Sequence, residues 1–327
     1  ISLSKLKRKN KGVSQDMKIP FIKPSTQAFI EEARKTPDYS FSDFLHGYIY
    51  GRWTHLYISI GTGEHPIAKS FIKWNNFFKN SGLKKKKPEA EKPTTGFADH
   101  YHAKAIPLET ATQIVQVNEE INKPDLEQVI PYKRARSLVL KNPEHIVAID
   151  CPCRSARENP CTPIDVCLVI GDPFASFIRE HQPDRSREIT RDEAIEILKA
   201  EDARGHVHHA FFKDAMLDRF YAICNCCECC CGAMNAHNNG TPMLASSGFI
   251  AQVDEDLCVS CDNCAEYCQF GALEMDDLMM SVSYENCMGC GVCIDKCDQE
   301  AIKLVADEKK GVPLEICALL EEEELFS

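Results

Sequence analysis

The first 150 residues contain no cysteine. The C-terminal part is as poor in positive charge, with 4 Lys/Arg against 19 Asp/Glu in residues 251–327. Tryptophan is scarce, and both copies, Trp53 and Trp74, fall in the first 80 residues. No apolar run is long and uncharged enough to span a bilayer. A G-x-G-x-x-G loop, a Walker loop and a nucleophile elbow are all missing, which argues against NAD, FAD or ATP held by a standard loop. What is present is cysteine in bulk. All 19 copies in the 327 residues lie from Cys151 onward, in bunches plus a lone Cys317. The odd number, the large chain and the adjacent copies do not suit a disulfide scaffold. Bunched thiols in a reducing compartment read as metal ligands, so the expected place is the cytoplasm or the cytoplasmic face of a membrane. Leu3 to Lys11 is basic, but no apolar run follows it, and no signal peptide is expected.

Residues 1–100 carry 18 Lys/Arg against 9 Asp/Glu, the reverse of the C-terminal balance. A chain so polarised is expected to face different neighbours at its two ends. Nucleic acid is not among them, because the basic part has no binding motif and the whole chain is acidic. Four segments are expected: a basic amphipathic helical extension (1–82), a linker (83–96), a cysteine-rich domain (97–249) and a final domain with an acidic tail (250–327). In the first, Ser25 to Arg34 reads as a helix capped by Ser25. Phe41, Phe44, Leu45, Tyr48, Ile49, Trp53, Leu56 and Ile60 then follow helical spacing, as do Ile67, Phe71, Trp74 and Phe78. Such helices either pack on their own domain or offer residues 41–80 to a partner or a membrane surface. The linker, LKKKKPEAEKPTT, has no apolar period. Beyond it, helices are expected at Leu108–Val117, Tyr132–Leu140, Thr190–Arg204 (Thr190 and Glu193 as a capping box) and Asp214–Ile223. Strands are expected at His145–Asp150 and Val166–Ile170.

The chemistry is written most clearly in Cys258-x2-Cys261-x2-Cys264-x3-Cys268 and, 29 residues on, Cys287-x2-Cys290-x2-Cys293-x3-Cys297. Three thiolates at two-residue gaps wrap three corners of a cubane. The fourth points away to the other cluster. One [4Fe-4S] cluster is thus expected on Cys258, Cys261, Cys264 and Cys297, and a second on Cys287, Cys290, Cys293 and Cys268. At these residues, about 250–306, the chain resembles bacterial two-cluster ferredoxins. The resemblance implies a pseudo-twofold βαβ pair passing single electrons, with flanking strands near Val253, Ala272–Met275, Ser281–Tyr284 and Ala301–Val305. Where that family has proline after each fourth cysteine, this chain has Gln269 and Asp298. The ligands are unaffected, but a polar side chain and a regained N–H there can alter the hydrogen bonding to sulfur.

Ten further cysteines precede this motif: Cys151, Cys153, Cys161, Cys167, Cys224, Cys226, Cys227, Cys229, Cys230 and Cys231. A cubane takes four, so ten suit one or two further iron–sulfur clusters. The simplest partition sets Cys151, Cys153, Cys161 and Cys167 against four of the later six, and a mixed partition is as buildable. A structural zinc site is the alternative. Arg154, with Arg157, and the alternating His206 and His208 are candidates to face a cofactor there. The CPCR and ICNCC runs resemble a group of iron–sulfur proteins of anaerobic bacteria with no assigned reaction. The overall expectation is an α+β chain that relays single electrons to or from a redox partner or larger oxidoreductase complex in anaerobic metabolism. The alternative is an oxidoreductase whose catalytic iron–sulfur or dithiol centre lies in residues 151–231.

Overall fold

The computed structural model describes residues 22–68, 70, 97–276 and 279–320. The linker, most of the aromatic stretch ending at Phe78 and the acidic tail lie outside the described residues. The described residues begin with α1 (Pro24–Lys35), α2 (Phe41–Arg52) and α3 (Thr54–Gly61). Pro24 sits in the first turn of α1, where a missing N–H costs nothing, and Lys23 rather than Ser25 is the N-cap. Ser25 is drawn off instead to the Glu180 carboxylate, which accepts its backbone N–H at 3.0 Å. The 41–60 stretch is helical throughout except for a break at Trp53. A full capping box between Ser40 and Asp43 starts it.

The central sheet follows the order β2-β3-β4-β7-β6-β1-β8, with β5 also on β3. Its strands are β1 (Tyr101–Ile106), β2 (Ile121–Lys123), β3 (Leu138–Ile149), β4 (Cys167–Asp172), β5 (Ser186–Ile189), β6 (Val207–Lys213), β7 (Arg219–Cys226) and β8 (Leu244–Ala245). All pairs are antiparallel except β1–β8. One face packs on α4 (Leu108–Gln116) and α7 (Arg191–Ala203) through Ala111, Ile114, Val115, Ala194 and Leu198. The Thr190 hydroxyl caps α7 by accepting from the Glu193 N–H at 3.2 Å. The other face carries a short α5 (Pro152–Ser155), then α6 (Phe174–His181) and α8 (Gly232–Asn238), together with the N-terminal helices. Phe29 of α1 meets Phe44, Phe174 and Phe177 edge-on at 5.2, 5.7 and 5.6 Å. On α2, a Cβ at Gly47 would run into the Ala215 carbonyl oxygen, so only glycine lets the helix come this close. The outer side of α2–α3 is different. Phe41, Leu45, Ile49, Trp53, Leu56 and Ile60 line up there, each between 39% and 77% exposed.

Two expected helices are strand and turn instead. Asp214–Ile223 is the β6–β7 hairpin, turned at Leu217 and Asp218, which both have positive φ (61° and 57°). Tyr132–Leu140 is an irregular approach to β3. Ala135 is left-handed there (φ 53°), while Arg134 and Arg136 pair with Asp218 and Asp125. These long-range pairs override a local pattern that is only weakly periodic.

Lys104 on β1 is buried, and its ammonium donates to the carbonyls of Val129 (3.0 Å) and Ser246 (2.8 Å). Burial pushes its pKa down to about 8. Above pH 8 the folded chain releases this proton while the unfolded chain still holds it, so stability rises with pH. Relative to a Lys104→Met variant, the wild type should gain about 1 kcal/mol per pH unit between pH 8 and 10 in denaturant unfolding. A flat difference would show that Lys104 keeps its proton in the fold up to about pH 10, so that burial does not lower its pKa.

The last domain comprises β9 (Phe249–Val253), α9 (Asn263–Glu266), β10 (Leu273–Asp276), β11 (Met279–Val282), α10 (Val292–Asp295) and β12 (Ile302–Ala306). β9 pairs with β12 and β10 with β11, all antiparallel, which closes two βαβ halves on each other.

Candidate metal centres

The two halves of this last domain repeat at the level of single backbone angles. Ser260 and Asp262 have positive φ (55° and 63°), and 29 residues later Gly289 and Gly291 do the same (62° and 88°). The loops that present the cysteines therefore share one conformation. Glycine adopts it freely in the second half, and Ser and Asp are held in it in the first. Cys258, Cys261, Cys264 and Cys297 line one cavity with an empty volume of about 350 Å³. Cys268, Cys287, Cys290 and Cys293 line another of about 380 Å³. Each fourth cysteine thus faces the opposite triplet, the grouping expected from the spacing. All eight donors are sulfur, and backbone N–H groups point at several of them. Ala251 donates to Cys287 Sγ at 3.5 Å, Ala272 to Cys268 at 3.2 Å and Ala301 to Cys297 at 3.3 Å. Such donors fit a negatively charged iron–sulfur group and tune its potential. The two cavities differ in exposure. Cys261 and the neighbouring Val259 are exposed, whereas Cys287 and Cys293 are buried.

The second cavity is pressed against the central sheet. The Ser247 N–H donates to Met288 O (3.0 Å), the Ser247 hydroxyl to Gly289 O (2.7 Å) and Lys296 Nζ to Ala203 O (2.7 Å). Gln269, at the position where ferredoxins have proline, accepts the Glu228 N–H at 2.8 Å and so ties the domain to the cysteine run. Phe270 and Met288, which follow Cys268 and Cys287, pack into the apolar cluster of the sheet's cysteine face.

That face holds the ten remaining cysteines, and the sheet sorts them into six and four. Strand β4 begins beside β7, where Leu168 pairs with Ile223, so Cys167 reaches Cys224. Cys151 ends the β3 segment, and α5 carries Cys153 under α8. The six thiols run in a chain of contacts, Cys224–Cys167–Cys151–Cys153–Cys231–Cys226. They surround a cavity of about 770 Å³ walled by Tyr50, Tyr101, Tyr221, Ile149, Val169 and Phe211. The Arg154 N–H donates to Cys151 Sγ at 3.5 Å and the Gly232 N–H to Cys153 Sγ at 3.4 Å. Cys153 and Cys167 both hydrogen-bond to Cys151, and its pKa lies well below the ordinary thiol value. A soft, all-sulfur donor set with apolar walls fits an iron–sulfur group. The other four, Cys161, Cys227, Cys229 and Cys230, gather at the rim with their Sγ atoms all within 4.8 Å of one another. This departs from the simplest partition, which sets Cys161 with Cys151.

Arg154 lines the six-thiol cavity, but its guanidinium, like the two histidines, is engaged behind it. The Arg154 side chain is turned inward and is 1% exposed. It donates to Pro163 O (2.5 Å), Asn225 O (3.0 Å) and Glu201 Oε2 (2.6 Å), with His206 Nδ1 3.0 Å away. His206 Nδ1 also lies 2.7 Å from Glu201, and His208 Nδ1 lies 2.6 Å from Asn225 Oδ1. Neither histidine lines the six-thiol cavity; both brace the shell behind it. The histidine on the cysteine face is His209, of opposite strand parity. It pairs across the strands with Cys224, and its ring lies 6.4 Å from that of Phe270. His209 is fully buried, neither ring nitrogen has a hydrogen-bond partner among the described residues, and burial pushes its pKa down to about 3. It is therefore a neutral ring between the two thiol groups. The signal that could have found it is the β6 alternation, which puts His209 on the same face as Phe211.

Comparison with known proteins agrees with the ferredoxin part. The family described as a 4Fe-4S binding domain matches residues 251–274 and 280–303. The pyruvate synthase subunit PorD of Methanothermobacter marburgensis is 36% identical over 52 residues, which are 16% of this chain and 60% of that protein. PorD of Methanocaldococcus jannaschii is 36% identical over 58 residues, 17% of this chain and 67% of that protein. A component of the ion-translocating oxidoreductase complex of Methanosarcina acetivorans is 34% identical over 55 residues, 17% of this chain and 21% of that protein. The chain thus spans about 60% of the length of the first of these relatives.

Proposed function

We propose that this chain, which through residues 251–303 belongs to the 4Fe-4S binding domain family, is the electron-transfer subunit of a larger oxidoreductase complex. Cys258, Cys261, Cys264 and Cys297 would hold one [4Fe-4S] group and Cys268, Cys287, Cys290 and Cys293 another. The six thiols around Cys151 would hold a further iron–sulfur group. These groups supply one-electron chemistry when bound. The protein's own part is to exclude water and to fix the distances between them. One observation carries the reading: Phe270 and Met288, within two residues of Cys268 and Cys287 of the buried ferredoxin cavity, pack with Cys151, Cys167, Cys226 and Cys231 in one apolar cluster. A domain that merely stored iron needs no such packed bridge. Similar domains occur in subunits of the oxidoreductases named above, which supports a partner enzyme here. The exposed stripe of α2–α3 is the face offered to that partner, and slower hydrogen exchange of α2 in the assembled complex would check it. Among the described residues no helix is long and apolar enough to cross a membrane. Anaerobic metabolism is part of the proposal.

The test is kinetic. Anaerobic protein is mixed with a reduced low-potential donor, and the ferredoxin and middle-site signals are followed separately by freeze-quench EPR. A Phe270→Ala, Met288→Ala variant should reduce its ferredoxin groups at the wild-type rate and its middle site at least tenfold more slowly. Equal slowing of both, or of neither, would remove the packed bridge as the reason for the arrangement.

A second reading rests on its own observation. A cavity of about 1120 Å³ adjoins the six-thiol cavity, and Cys153 lines both. Lys213 and Arg157 also border it. A small anionic substrate reduced at the six-thiol site would fit there. Turnover lost on Lys213→Met, with all iron retained, would favour this reading over the relay.

A further inference from the structure

We infer that Cys161, Cys227, Cys229 and Cys230 bind a single thiophilic divalent ion, zinc or mononuclear iron, rather than a cubane. The inference stands apart from the electron-transfer reading, because it concerns the spacing of four sulfurs. A tetrahedral ion with metal–sulfur bonds of about 2.3 Å sets its four sulfurs about 3.8 Å apart. Here Cys161 Sγ lies 3.1 Å from Cys229 Sγ, Cys229 lies 3.6 Å from Cys230, and no pair of the four exceeds 4.8 Å. A cubane places each thiolate on its own iron, so its ligands must stand further apart. The eight ferredoxin cysteines provide the contrast within this chain: among the described residues, no other three potential metal ligands close to within 4.8 Å.

The surroundings suit a clasp. Cys161 belongs to the loop before β4, and the other three to the turn between β7 and α8. That turn is already folded back on itself, since the N–H groups of Cys230 and Cys231 both donate to Cys227 O. The Arg157 guanidinium donates twice to Cys230 O, at 3.3 and 3.2 Å, and pairs with Glu64. An ion on these four sulfurs would therefore join two loops at the rim of the six-thiol cavity, which Cys227 and Cys230 also line. It would also fix the Glu228 N–H that reaches Gln269 of the ferredoxin domain. Cys229 is exposed and Cys161 partly so. Four thiolates in a tetrahedron select zinc or iron.

The experiment is metal and acid-labile sulfide analysis of the anaerobic full chain and of its Cys229→Ser variant. The serine replaces an exposed side chain, so the fold should survive. Loss of one zinc per chain, with iron and sulfide unchanged, is the expected result. Loss of one iron without sulfide would support the same site filled by iron. Loss of iron together with sulfide would mean a cluster and overturn the inference, as would loss of no metal at all. Should the variant fail to fold, zinc-edge X-ray absorption on the wild type decides. Four sulfurs at about 2.3 Å with no neighbouring iron support the site. If zinc is absent, an iron-to-sulfide ratio above that of cubanes alone supports the iron form, and a ratio equal to it overturns the inference.

Discussion

Replacing Arg154 by alanine should lower the thermal midpoint of the anaerobic protein by about 10 °C. The guanidinium is 1% exposed and its partner, Glu201, is fully buried. Removing Arg154 leaves the buried Glu201 carboxylate with His206 and Arg204 as its remaining partners, and breaking a buried pair in this way costs up to about 3–5 kcal/mol. In a unit of this size each kcal/mol moves the midpoint by roughly 2–4 °C. The loss should be larger near neutrality than in acid. Burial alone would raise the Glu201 pKa, but hydrogen bonds with His206 and Arg154 outweigh it and hold the carboxyl below its usual range. In the wild type this carboxylate therefore adds stability above its unfolded pKa and loses it as the pH falls through the folded value. In the variant the Arg154 contribution is gone and burial weighs more. The carboxyl is then held less far below its usual range, so less stability is gained as the pH rises through that range. The difference between the two proteins, followed from pH 5 to 8, should thus grow with pH. An Arg154→Met, Glu201→Leu double variant should recover most of the loss, since an apolar pair of similar volume avoids the under-compensated buried charge. A midpoint unchanged in Arg154→Ala would show that the pair is solvated and that the shell behind the cysteines is loose.

How this shell escapes a reading of the sequence is instructive. The ferredoxin ligands are legible because their contacts are local: a fixed spacing and a 29-residue repeat put each triplet on one loop. The Thr190–Arg204 helix is legible for the same reason, through its cap and its end at Gly205, which has φ +82°. Arg154, Glu201 and His206 come from an α5 turn, the end of α7 and the start of β6. Their meeting depends on the order of strands in the sheet, which periodicity does not encode. The same holds for the ten cysteines. Cys167 meets Cys224 because β4 lies beside β7, and Cys161 meets Cys229 because the loop before β4 folds over the turn after β7. The β6–β7 hairpin itself reads as a helix. Met216, Leu217, Phe220 and Tyr221 have helical spacing, and the turn at Leu217–Asp218 lacks the Asn-Gly signature of a tight hairpin. His209 is hidden behind His206 and His208 for a simpler reason: strand parity decides which of alternating side chains faces the site.

The six-thiol cavity should answer to single substitutions by losing iron and sulfide together. Cys151 touches Cys153 and Cys167, and Cys231 touches Cys153 and Cys226, so neither is a spare side chain. Cys151→Ala or Cys231→Ala should remove at least four iron and the matching sulfide per polypeptide while leaving about eight iron in the ferredoxin domain, since each cubane holds four. The EPR signal of the reduced ferredoxin groups should persist, because neither residue is among that domain's eight cysteines. Stability should fall as well, as metal binding to a site absent from the unfolded chain is itself folding energy. Cys317→Ala provides the control: that thiol is exposed and stands alone in sequence, and its loss should change neither iron nor stability. The count also separates the two functional readings. Six thiols exceed what one cubane uses, so a group that drew on only four would leave two free, and these would be the dithiol of a catalytic site. In that case one of the six, Cys226 for example, could be replaced with every iron retained and only turnover lost. If each of the six replacements costs iron, no thiol in the cavity remains free to act as a reductant, and the cavity's role narrows to holding a redox group at a fixed distance from Phe270 and Met288.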